Sequence, residues 1–157
     1  MSILIVITLI LWSRETALAS SLVSNPQGIR VGLRVLKAPP GAILPHGRDA
    51  ADGNCGHAEL RANPGATGSR GIAINIIVNS SKGWVAFGHW TLTVNNSGTD
   101  SGGIGPQASP DWRDGYTHYA PRSGVVYGVF LTELTINTWL GYTCDLFRTL
   151  RTAARSG

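Results

Sequence analysis

Residues Gly71 to Trp84 read GIAINIIVNSSKGW, an apolar run, a polar break and a tryptophan. Ile72, Ile74, Ile76 and Val78 recur at a period of two, which places them on one face of a strand. Ala73 and Ile77 make the other face apolar as well, except at Asn75, so the strand should lie centrally with cover on both sides. Fully burying four such side chains is worth roughly 1.5–3 kcal/mol each, more than a short polar turn can gain by contact. This stretch therefore demands a β scaffold. Trp84 to Val94 alternates again, with Trp84, Ala86, Trp90, Leu92 and Val94 on one face and Gly88 in the same register as a bulge. Two such runs separated by Asn79–Gly83 predict a β-hairpin with Trp84 and Trp90 in the core.

Ile29, Val31, Leu33 and Val35 alternate with Arg30, Gly32 and Arg34, a third strand with one basic face. The Pro- and Gly-rich segments from Lys37 to His57 and from Asn95 to Gly115 read as long loops, Tyr116–Tyr119 as a short strand and Val125–Ile136 as a long one. Leu146, Phe147 and Leu150, with Arg148, Arg151 and Arg155 on another face and Asp145 ahead of them, predict a short amphipathic helix. Twenty glycines and eight prolines argue against a helical bundle. The expected class is mainly β: one domain over 20–157, a β-sandwich or small barrel with a short C-terminal helix.

Ahead of that domain, MSILIVITLILW is apolar but short, and Ala17 and Ala19 are small residues at signal-peptidase spacing. Residues 1–19 read as a secretory signal, so the mature chain should start at Ser20, be secreted and carry no transmembrane span. Export suits the two cysteines, Cys55 and Cys144, which can form one disulfide closing an 89-residue separation. The formal net charge of +4 favours anionic partners, but no Lys/Arg cluster marks a nucleic-acid footprint.

Chemical motifs are sparse. Cys55, His57 and Glu59 alternate in CGHAE, yet the Pro-Cys-x-x-Cys half of a zinc deaminase is absent. His46, Asp49 and Asp52 follow no metal-ligand spacing. No Gly-x-Ser-x-Gly elbow occurs, and SGGIGPQ lacks the Lys-Ser/Thr of a phosphate loop. These patterns assign no catalytic residue, no metal site and no cofactor. Asn79-Ser80-Ser81 and Asn95-Asn96-Ser97 match the N-glycosylation motif. The aromatic segment SPDWRDGYTHY stands out, because rings with polar rims suit sugars and membrane interfaces. Its Trp112, Arg113, Tyr116, His118 and Tyr119 are the candidate binding residues.

RGIAINIIVNSSKGW, followed by NNSGTD and YAPRSGVVYGVFL, resembles the core hairpin region of actinoporin-type β-sandwich cytolysins over about a third of the chain. The resemblance implies a related sandwich whose aromatic loops touch membrane or glycan. The leading functional reading is a small secreted, toxin- or effector-like binding protein that contacts a lipid head group, glycan or host surface. A secreted hydrolase using His57 and Glu59 is the second reading. A structural or inhibitory protein, or a non-functional reading frame, is the third.

Overall fold

The computed structural model describes residues 28–43 and 53–157. The expected signal, the start at Ser20 and the loop residues His46, Asp49 and Asp52 lie outside these residues. Nine strands form within them: β1 (Ile29–Lys37), β2 (Gly56–Pro64), β3 (Gly71–Ser80), β4 (Val85–Val94), β5 (Gly98–Ile104), β6 (Asp111–Tyr119), β7 (Val126–Thr138), β8 (Thr143–Leu146) and β9 (Leu150–Arg155). They pair in the order β5-β4-β7-β8-β1-β2-β3-β6, with β9 also on β7, and the sheet curls into a nearly closed barrel.

All pairings are antiparallel. Strand β1 is the hinge of the architecture. Its first half, Ile29–Gly32, pairs with β2, and its second half, Leu33–Lys37, pairs with β8. One strand thereby links the β2-β3-β6 wall to the β8-β7-β4-β5 wall. The period-two reading of β3 holds. Ile72, Ile74, Ile76 and Val78 are fully buried, and the strand sits centrally between β2 and β6. Leu33, Leu60, Leu92, Leu131, Leu134 and Ile136 complete the core from the other strands.

Three expectations about secondary structure and pairing need correction. Residues 145–155 form no helix: β8 pairs with β1 and β7, and β9 continues beside β7 after a break at Phe147–Thr149. Short strands can carry the same i, i+4 spacing, here with Leu146, Leu150 and Ala154 buried and Phe147 exposed. Next, β3 and β4 are consecutive but unpaired, since β3 takes β2 and β6 while β4 takes β5 and β7. At the crossing, Ser80 N–H donates to the Pro110 carbonyl and Ser81 N–H to the Cys55 carbonyl. Last, the presumed loop from Asn95 to Gly115 contains β5 and the start of β6.

Cys55 and Cys144 are disulfide-bonded with their Cα atoms 6.2 Å apart. Both are fully buried, and the bridge ties the segment before β2 to β8. Among the described residues no helix is long and apolar enough to cross a membrane.

Candidate functional site

The aromatic segment is strand β6, and the alternation of a strand divides its candidates. Trp112, Tyr116 and His118 point inward, while Arg113 and Tyr119 point out. Trp112 retains 7% of its surface and His118 8%, whereas Tyr119 keeps 68%. The five residues therefore do not form one exposed patch. Trp112 is a core side chain, paired across the ladder with Val78.

The inward face of β6 meets β5 through side chains. Tyr116 stacks on Trp90 of β4 with ring centroids 5.4 Å apart, and its hydroxyl donates to Oδ2 of Asp100 at 3.1 Å. Burial, followed by the Asp100 charge, pushes the Tyr116 phenol well above its ordinary value. Nδ1 of His118 lies 2.6 Å from the same Asp100 oxygen, and Nε2 lies 2.6 Å from Oγ of Ser97. An ionised carboxylate can only accept, so Nδ1 of His118 carries the proton and donates. In the neutral ring Nε2 is then the acceptor, and the Ser97 hydroxyl donates to it. Ser97 closes the tight β4–β5 turn, where Asn96 has φ 55° and Gly98 φ 134°. Left-handed backbone of this kind suits Asn and Gly and brings Ser97 back toward β6.

His57 and Glu59 lie on β2. The Glu59 carboxylate, 2% exposed, accepts from Nε of Arg30 at 2.8 Å and from Nε of Arg61. A Cβ on Gly28 would collide with that carboxylate, so glycine lets the chain cover it. The Arg61 hydrogen bond, followed by that of Arg30, holds the Glu59 carboxyl below its ordinary value against the opposing effect of burial. Both carboxylate oxygens are held by guanidinium groups, an arrangement that favours an ion-pair clamp over proton transfer.

The exposed apolar side chains gather where sequence reasoning did not place them. Trp84 is 54% exposed rather than core, and Trp139 and Leu140 are 64% and 62% exposed. They sit on two neighbouring turns, β3–β4 and β7–β8, joined by Trp139 N–H donating to the Trp84 carbonyl at 3.0 Å. Leu140 packs over Gly83, whose φ of 95° and lack of a Cβ admit it. The ammonium of Lys82 lies 5.4 Å from the centre of the Tyr142 ring, and exposed Lys37 pairs with Thr143 beside the same turn. This end of the barrel presents two tryptophans and a leucine flanked by two lysines. No residue spacing announces it, because it is assembled from turns 55 residues apart in sequence, Trp84 and Trp139. Among the described residues no cluster of His, Cys, Asp and Glu is arranged to hold a metal.

Fold and sites together define a disulfide-bonded, barrel-like β domain with an aromatic end and a polar seam between its edge strands. No family model, curated protein or solved structure matches the chain.

Proposed function

We propose that this chain is a secreted peripheral binding protein that docks its aromatic end on an anionic lipid surface. The observation that carries the reading is the exposure of Trp84, Trp139 and Leu140 on adjoining turns, with Lys37 and Lys82 beside them. Tryptophan favours the boundary between head groups and acyl chains, leucine the acyl side, and lysine reaches back toward head-group phosphates. An exposed leucine beside Trp139 and packed over Gly83 favours lipid over sugar, since a glycan site gains more from polar groups around its rings. The net charge of +4 adds attraction to anionic membranes. The resemblance of the β3 region to actinoporin-type sandwiches points the same way.

Co-sedimentation with phosphatidylcholine vesicles, with and without phosphatidylserine, tests the proposal. Binding to the anionic vesicles should raise and blue-shift tryptophan fluorescence. The double variant Trp84→Ala/Trp139→Ala should lose binding while keeping its melting temperature within a few degrees. Wild-type protein that ignores both vesicle types, or that binds a glycan panel instead, overturns the lipid assignment.

A further inference from the structure

We propose that Ser97, His118 and Asp100 form an acyl-transfer site that hydrolyses small soluble esters. Residues from two places in the chain, the β4–β5 turn with the start of β5 and strand β6, meet in the order such chemistry needs: Ser97 Oγ to His118 Nε2 at 2.6 Å, and His118 Nδ1 to Asp100 Oδ2 at 2.6 Å. The tautomer argued above leaves Nε2 able to take the serine proton. Asp100 is a positioning residue, which holds the ring and stabilises the imidazolium once formed. Tyr116 fixes the carboxylate in turn through its hydroxyl. His118 is buried, while Ser97 is partly exposed on a turn whose neighbours Asn95 and Asn96 face solvent. The base is therefore shielded and the nucleophile reachable.

A cleft of about 360 Å³ opens on the neighbouring face of this turn, lined by Asn95, Asn96, Arg122 and Tyr127 among others but not by Ser97 or His118 themselves, so a substrate would reach Ser97 across the turn from it. The Asn95 backbone N–H is taken by the Gly128 carbonyl, so the donors for a developing oxyanion are the exposed side-chain amides of Asn95 and Asn96, and Arg122 favours a polar or acidic acyl group. In the reaction Ser97 Oγ bonds to the ester carbonyl carbon while its proton passes to His118 Nε2. The carbon–alkoxide bond breaks, and His118 returns that proton to the leaving alcohol. Water then attacks the acyl-serine, giving its proton to His118, and the carboxylic acid departs as Ser97 is reprotonated. The Trp84–Trp139 end lies at the start of β4 and Ser97 just beyond its end, a separation of roughly 30 Å for ten strand residues. Hence the substrate class is a soluble ester rather than a lipid of the docked membrane, and the two proposals stand or fall separately.

The test is labelling with a fluorophosphonate, in which the serine oxygen–phosphorus bond forms and fluoride leaves. Mass spectrometry of the folded wild-type protein should place the label on Ser97. His118→Ala should slow labelling by about 10²–10⁴-fold, the usual contribution of a general base. Asp100→Asn should slow it as well and alter its pH profile, because an amide can donate to Nδ1 and move the ring proton to Nε2. If His118→Ala does not fold, Asp100→Asn carries the comparison. Labelling absent from Ser97 in folded protein, or unchanged in rate and pH profile in a folded variant, overturns the proposal and leaves the network as a structural seam.

Discussion

His118 Nδ1 lies 2.6 Å from Asp100 Oδ2, and this contact joins two strands, β5 and β6, that pair with each other through no backbone ladder. They are the two ends of the sheet path, so the polar contact and the Trp90–Tyr116 stack together close the barrel. Exposed edges invite pairing with other chains, and a side-chain seam that occupies both edges reduces that risk.

Removing Asp100 should therefore open the seam. Asp100→Ala deprives buried His118 and half-buried Tyr116 of their shared acceptor, a loss of about 1–3 kcal/mol for a stranded polar group. Urea denaturation should show this loss, with hydrogen exchange rising first in β5 and β6. An unchanged midpoint would mean that water replaces the carboxylate without cost.

The disulfide closes a separation of 89 residues. A loop of that length corresponds to about 4–5 kcal/mol in the chain-entropy model, and loss of a native bridge from a small domain costs about 2–5 kcal/mol. Denaturation midpoints with and without reductant, or of the Cys55→Ser/Cys144→Ser protein, should differ accordingly. Equal midpoints would show that the barrel does not depend on the bridge.

Glu59 gives an acid-side prediction with a definite sign. Its folded pKa is held below the ordinary value of 4.5, chiefly by Arg61 and then by Arg30. The unfolded chain therefore binds the proton more readily than the folded one. The stabilisation is fully present above about pH 4.5 and is lost as pH falls through the lower folded pKa. Thermal melts of wild type and Glu59→Gln should converge as pH falls below that value. Parallel curves across the range would remove Glu59 from the account.

What could be read from the residues and what could not differ for physical reasons. The inner face of β3 was legible because a period of two in Ile72, Ile74, Ile76 and Val78 has only one good burial. The cysteine pair was legible by elimination, with two thiols and one partner each. Strand β5, GTDSGGI, was invisible because it is held by its ladder to β4 and offers only Ile104 to the core. The partners of β3 and β4 were equally hidden, since a turn composition says that the chain reverses and not which strand it then meets. The trio of Ser97, Asp100 and His118 leaves no spacing signal, because β5 and β6 come together only when the sheet curls round. Position in the strand did carry some information. The alternation of β6 separates Trp112, Tyr116 and His118 from Arg113 and Tyr119 once the segment is known to be extended.

The divided pairing of β1 has a consequence for biogenesis. Leu33 and Val35 already meet Cys55 and Asn54 on one edge, but the other edge of Leu33–Lys37 is covered only by Thr143–Leu146, and Cys55 waits for Cys144. During synthesis at about 5–20 residues per second β1 therefore keeps that edge unpaired until residues 143–146 have emerged. Such long-range closure makes folding slow relative to helical domains of similar size. Throughout that interval the β8-facing edge of β1 is an unpaired strand edge of the kind that invites pairing with other chains, and truncation before residue 143 removes the segment that caps it.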